Sequence, residues 1–310
     1  MSKTAFVFPG QGSQSVGMLA ELGAEFPVIK ATFDEASAAL GYDLWALTQN
    51  GPDEELNKTF RTQPALLTAS IAVWRLWQAQ GGAVPAVLAG HSLGEYSALV
   101  AAGVLSLADA VKLVELRGQA MQDAVPAGTG AMAAVLNLDD ELIRKACDEA
   151  AQGQVVAPVN FNSPGQVVIA GNKEAVERAG ELCKAAGAKR VLPLPVSVPS
   201  HCALMKPAAE KLAAALQAIE FKTPVIPVIN NVDVAAETEP TKIRDALVRQ
   251  LYCPVRWTEV VTRMVSDGVS TTYECGAGKV LTGLAGRIHK ELKAAAINTP
   301  ASLEAALKGE

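Results

Sequence analysis

Gly90-His91-Ser92-Leu93-Gly94 sets a serine between glycines in the pattern G-x-S-x-G. On a sharp strand-to-helix turn, that frame turns a serine into an exposed nucleophile. The glycines spare the bend a Cβ clash. The helix that follows would bring free N–H groups to a developing negative charge. The same five residues also fit an ordinary tight turn, so a catalytic serine must find partners elsewhere. It needs a base, and the sequence offers three histidines, His91, His201 and His289. His91 adjoins the serine and should leave the turn in a different direction. His289 lies in "GRIHKEL", a charged terminal helix that reads as surface. His201, in "SVPSHCALM", remains as the candidate base.

An oxyanion hole needs two donors aimed at one point. The N–H of Leu93, directly after the serine, is one candidate. The second normally comes from the loop after a neighbouring strand, and in "FPGQGSQ" Gln11 stands between two glycines that permit close backbone approach. Arg117 is out of place in "LADAVKLVELRGQAMQ": helical spacing puts it on the apolar stripe with Leu113, Val114 and Met121. An inward arginine must meet an anion. Three readings stand side by side: a structural ion pair, snorkelling to the surface, or a fork for a substrate carboxylate.

Half of the 310 residues are hydrophobic and 19% are charged, which indicates a globular chain long enough for one large domain or two. A net charge of −5 argues against nucleic acid as the main partner. The five cysteines form no C-x-x-C and the histidines no zinc spacing, so neither a disulfide framework nor a metal site is expected. Ser15 breaks a dinucleotide fingerprint in the first loop, and "GAGKV" is no phosphate loop. The start "MSKTAFVFPGQG" lacks a signal-peptide core, and the apolar run "SALVAAGVLSLA" is short of a membrane span. A soluble, cytoplasmic protein with no membrane partner is expected.

The elements that would carry these residues alternate. "AFVF" and "AVLAG" read as strands and "QPALLTASIAVWRLWQAQ" as a helix, with "PVIPVINN" and "TTYEC" as later strands and "VLTGLAGRIHKEL" as a helix. This alternation predicts a parallel sheet in an α/β layer fold, an α/β-hydrolase-like catalytic core. Between them, "GAMAAVLN", "DDELIRKACDEAAQ", "VVAPVNF", "QVVIAG", "KEAVERAGELCKAAGA" and "KRVLPLPV" run β-α-β-β-α-β, the ferredoxin-like order. The expected organisation is a core of residues 1–125 and 198–310 with an inserted ferredoxin-like subdomain at 126–197. Asn160 and Asn162, in the insertion's hairpin, would either line a cleft or serve the turn.

Taken in order, "FPGQGSQ", "GHSLGEYSAL", "ELRGQAMQ", "NFNSPGQVVIAG", "VSVPSHCALM", "RQLYCPVRW" and "GAGKVLTGL" resemble the malonyl-CoA:acyl-carrier-protein transacylases and the acyltransferase domains of fatty-acid and polyketide synthases. The resemblance spans essentially the whole chain. It implies Ser92 as acyl acceptor, His201 as base, the N–H groups of Gln11 and Leu93 as oxyanion hole, and Arg117 as partner of the malonyl carboxylate. It also implies that the backbone carbonyl of Gln250 orients His201 in place of an aspartate. The reaction implied is ping-pong S-malonyl transfer from malonyl-CoA to the phosphopantetheine thiol of acyl carrier protein, supplying fatty acid biosynthesis without metal or other cofactor. "VPSH" is similar to the malonyl-selective bacterial enzymes. A serine hydrolase or thioesterase shares the elbow and differs in letting water deacylate; a non-catalytic carrier-binding scaffold is a third class.

Overall fold

The computed structural model describes residues 3–196 and 198–309; Ser197, at the expected end of the insertion, lies outside them, as do the first two residues of the N-terminal stretch read for a signal peptide. The chain begins with β1 (Lys3–Phe8), then α1 (Ala20–Glu25), α2 (Pro27–Leu40), α3 (Leu44–Asn50), α4 (Asp53–Leu56), α5 (Thr59–Ala79), β2 (Val87–Gly90), α6 (Gly94–Ala101) and α7 (Leu107–Asp123). It continues with β3 (Gly130–Leu136), α8 (Asp140–Ala151), β4 (Val156–Ser163), β5 (Gln166–Asn172), α9 (Lys173–Ala185) and β6 (Arg190–Pro193). It ends with α10 (Lys206–Gln217), β7 (Val228–Ile229), α11 (Pro240–Gln250), α12 (Trp257–Ser266), β8 (Val269–Cys275), α13 (Val280–Ile288), β9 (Lys293–Ile297) and α14 (Pro300–Lys308).

Five strands form a parallel sheet in the order β7-β2-β1-β8-β9. β1 shows why both faces are covered. Its period-two alternation sends Phe6 and Phe8 into one core, with α2, α5 and α7, and Ala5 and Val7 into another, with α12 and α13. The second sheet is antiparallel, ordered β4-β5-β3-β6, with α8 and α9 packed on it. That is the ferredoxin-like arrangement read from the sequence. β4 is tied to the larger sheet's side of the molecule. Phe161 N–H donates to Val255 O at 3.0 Å, Val255 N–H to Val159 O at 2.8 Å, and Thr258 Oγ1 to Phe161 O at 3.0 Å.

Two sequence expectations need correcting, and one of two open readings falls. "PVIPVINN" supplies only the two residues of β7, because Pro227 has no N–H for the ladder and Asn230 N–H turns instead to Ala235 O. His289 does not lie on a terminal surface helix: α13 stops at Ile288 because Leu292 and Ile297 are drawn into the core, and β9 and α14 follow. His289 is half-buried. Asn160 and Asn162 do not serve a turn; both lie on β4, and the turn is Pro164-Gly165.

Candidate active site

Ser92 sits between the end of β2 and the first turn of α6 with φ of 51°. This left-handed backbone is costly for a residue with a side chain, by about 1–3 kcal/mol, so the surroundings must enforce it. The glycines explain how the bend closes. A methyl group on Gly90 would lie 1.9 Å from the Gly94 carbonyl, and one on Gly94 would lie 2.0 Å from Phe8 O. Asn231, fully buried just past β7, staples the bend from below: its Oδ1 accepts Ser92 N–H at 2.8 Å and its Nδ2 donates to Gly90 O at 2.7 Å.

His201 enters from the loop that returns from the small sheet. Its backbone N–H donates to Leu251 O at 3.0 Å, and its Nδ1 lies 2.6 Å from Gln250 O. A carbonyl can only accept, so Nδ1 carries the proton and Nε2 presents a lone pair. That lone pair faces Ser92 Oγ at 2.8 Å. Gln250 closes α11, where helix carbonyls lack intrahelical partners and the dipole is negative. Here a helix end does the orienting usually given to a carboxylate. His201 is 3% exposed, and burial together with the nearby Arg117 cation pushes its pKa down to about 3. The imidazole is therefore neutral at ordinary pH and keeps its Nε2 lone pair for the Ser92 hydroxyl.

Arg117, 1% exposed on α7, points into this group. One terminal nitrogen donates to Gln63 Oε1 at 2.8 Å; the other donates to Gln250 Oε1 at 2.9 Å and to Ser92 Oγ at 3.3 Å. No ion pair among the described residues includes it, and its Nε has no partner among them. The structural ion pair and the snorkelling reading both fall. What is left is a buried cation held by neutral amide oxygens at the nucleophile. Burial lowers its pKa, with Tyr96 and Glu95 opposing.

The β1 loop reaches the elbow. A methyl group on Gly10 would lie 2.6 Å from His91 O, which places the neighbouring Gln11 backbone beside the turn. Neither the Gln11 nor the Leu93 N–H donates to an acceptor among the described residues. His91 does leave the elbow in another direction: its Nε2 bonds Asn162 Oδ1 at 2.8 Å. Asn160, on the same strand, has its buried Oδ1 unpaired among the described residues. No group of three His, Cys, Asp or Glu among the described residues is arranged to hold a metal, and no described helix is long and apolar enough to cross a membrane.

The acyl transferase domain model matches residues 5–297. The malonyl CoA-acyl carrier protein transacylase of Salmonella typhimurium is 70% identical over 307 residues, covering 99% of both chains. The crystal structure of an acyl carrier protein S-malonyltransferase from Vibrio cholerae superposes with a TM-score of 0.97 at 70% identity, covering 98% of this chain and 100% of that one. A malonyl-transacylase solved with a type II polyketide synthase acyl-carrier protein gives a TM-score of 0.99 at 65% identity, with both chains covered in full. The chain belongs to the malonyl CoA-acyl carrier protein transacylase family. It is an acyltransferase.

Within this family member, Ser92, His201, Arg117 and Gln250 meet as the sequence led us to expect. Gln63, Asn231, Glu95 and the Gln250 side chain escaped sequence reasoning. Gln63 is 1% exposed on α5, and the one available signal was a glutamine opening the apolar run "QPALL". Asn231 follows the shortest strand of the sheet, in "VINN". Glu95 is 2% exposed; its Oε2 accepts from Asn231 N–H and Gln250 Nε2, each at 2.9 Å. Burial raises its carboxyl to about 7, against the pull of those two donors and of Arg117.

Proposed function

We propose that this chain transfers a malonyl group from malonyl-CoA to the pantetheine thiol of an acyl carrier protein, by way of an ester on Ser92. One observation carries the reading: Ser92 Oγ lies both 2.8 Å from a correctly oriented imidazole and 3.3 Å from a buried arginine that has no carboxylate of its own. A hydrolase needs the first feature; a transferase selecting a carboxylated acyl group needs both.

In this reading the malonyl carboxylate lies against Arg117, and the thioester oxygen points at the N–H groups of Gln11 and Leu93. Ser92 Oγ attacks the thioester carbon as His201 Nε2 takes its proton. The tetrahedral oxyanion collapses, the C–S bond breaks, and the coenzyme A sulfur leaves with the proton held by His201. The carrier's thiol then attacks the ester, His201 receives the thiol proton, and Ser92 Oγ recovers it as the C–O bond breaks. Every step is nucleophilic attack or proton transfer, so no metal or other cofactor is required. Asn160 and Asn162 would flank the cleft from β4. The reading includes a core of residues 1–125 and 198–310, an insertion at 126–197, a cytoplasmic location and a place in fatty acid biosynthesis.

The test is mass spectrometry after incubation with malonyl-CoA alone. A malonyl adduct on the Ser92 peptide, discharged by added carrier protein and absent from Ser92→Ala, is expected. Prompt release of free malonate without carrier would point to a hydrolase, and labelling of Ser92→Ala elsewhere would remove Ser92 from its role.

A further inference from the structure

The hydrogen-bonded group under Ser92 has a direction, and Glu95 sets it. Gln250 carries an amide with two unlike ends. Its Nε2 faces Glu95 Oε2 at 2.9 Å and Ser92 O at 3.0 Å, while its Oε1 faces Arg117 at 2.9 Å. Turning the amide over would set NH₂ against guanidinium, donor against donor, and Oε1 against three acceptors, the third being Asn231 Oδ1 at 3.4 Å. Of the three acceptors that forbid the flip, Ser92 O belongs to a backbone already bent for other reasons and Asn231 Oδ1 is the longest contact and already accepts Ser92 N–H, whereas Glu95 is a side chain placed there on the first turn of α6. Its Oε2 also receives Asn231 N–H, tying the residue that staples the elbow to the residue that holds the arginine. Gln63 holds the other arm of the guanidinium. Arg117 is thus gripped by two neutral oxygens, which fix its fork without an ion pair to compete with a substrate anion.

We propose that Glu95 is a positioning residue for acyl selection: as an acceptor it locks the Gln250 amide so that Oε1 faces Arg117 and holds the guanidinium beside Ser92. The proposal rests on Arg117 being the malonyl clamp. Glu95 itself touches no reacting atom. Its removal would release the amide and let the guanidinium wander, which harms a carboxylated substrate far more than one without a carboxylate.

The experiment measures kcat/KM for malonyl-CoA and acetyl-CoA on the full chain, with melting curves, for wild type, Arg117→Ala, Glu95→Met and Glu95→Gln. Methionine is close in size and strips the acceptor; glutamine keeps an acceptor oxygen and loses the charge. Glu95→Met takes the acceptor from two buried donors, Asn231 N–H and Gln250 Nε2, and is expected to lower the malonyl-to-acetyl ratio roughly tenfold. Glu95→Gln should restore the ratio to within about threefold of wild type. The proposal is overturned if Glu95→Met depresses both thioesters equally or leaves the ratio alone while Arg117→Ala lowers it. It is also overturned if Glu95→Gln is as poor as Glu95→Met, since charge rather than acceptance would then matter. If Arg117→Ala leaves the ratio unchanged, the clamp falls and this proposal with it. Should Glu95→Met melt below the assay temperature, Gln250→Met breaks the same relay at its midpoint, and an unchanged ratio there overturns the proposal.

Discussion

His201 titrates far from its ordinary range, and this has a sign. An imidazole in the unfolded chain has a pKa of about 6.5, whereas burial and Arg117 hold the folded one at about 3. As pH falls below about 6.5 the unfolded state gains a proton that the folded state refuses, so stability drops between those values and is level above them. His201→Gln should flatten that slope; melting temperature against pH for both proteins reads the difference, and parallel curves would refute it. His201→Ala should slow both half-reactions by roughly 10²–10⁴-fold, measured by single-turnover acylation and discharge. If Arg117 is the proposed malonyl clamp, Arg117→Ala costs about 2–4 kcal/mol, or roughly 30- to 1,000-fold in kcat/KM for malonyl-CoA, while acetyl-CoA has no carboxylate to lose. Equal loss on both substrates would return Arg117 to a scaffolding role. Ser92, His201 and Arg117 were legible in the sequence because each is conspicuous: a framed serine, a histidine among three, a cation on an apolar stripe. Gln63, Asn231 and the Gln250 amide were not, because uncharged amides on helices and loops usually face water; only their burial, set by distant packing, gives them meaning.

At the scale of elements, the elbow depends on two close approaches that no larger residue tolerates. Gly90→Ala would drive its methyl group to 1.9 Å from the Gly94 carbonyl, and neither backbone can yield without dragging β2 or α6 along. A loss of about 3 kcal/mol or more is expected, seen as a lower urea midpoint together with lost malonyl labelling; a variant as stable and reactive as wild type would contradict the geometry. The parallel sheet was readable from alternating strand and helix patterns, and the small sheet's order from its β-α-β-β-α-β run. The order β7-β2-β1-β8-β9 was not, because it depends on which strand each helix returns to, which local periodicity leaves open. The terminal segment misled for a related reason: "HKEL" has helical composition, yet Leu292 packs into the core and Lys293–Ile297 forms β9.

Over the whole molecule, β4 joins the small sheet to the elbow through Val255, Thr258 and the His91–Asn162 contact. Asn162→Ala leaves His91 Nε2 without its partner and should cost about 1 kcal/mol, since the site is only partly buried. A urea titration measures it, and no change in midpoint would show that the contact holds nothing. One consequence follows from how far apart in sequence the reacting groups lie. Ser92 and His201 are separated by 109 positions, and Gln250 Nε2 reaches back across 158 to Ser92 O. Such long-range closures form late, after local helices and hairpins. On the proposed roles, a chain still emerging from the ribosome with Gln250 not yet made has its serine but no oriented imidazole and only the Gln63 half of the arginine grip. Its serine is unarmed during synthesis. Refolding from urea should reproduce this order: helical signal returns first, and the capacity to be malonylated appears only with the slowest phase.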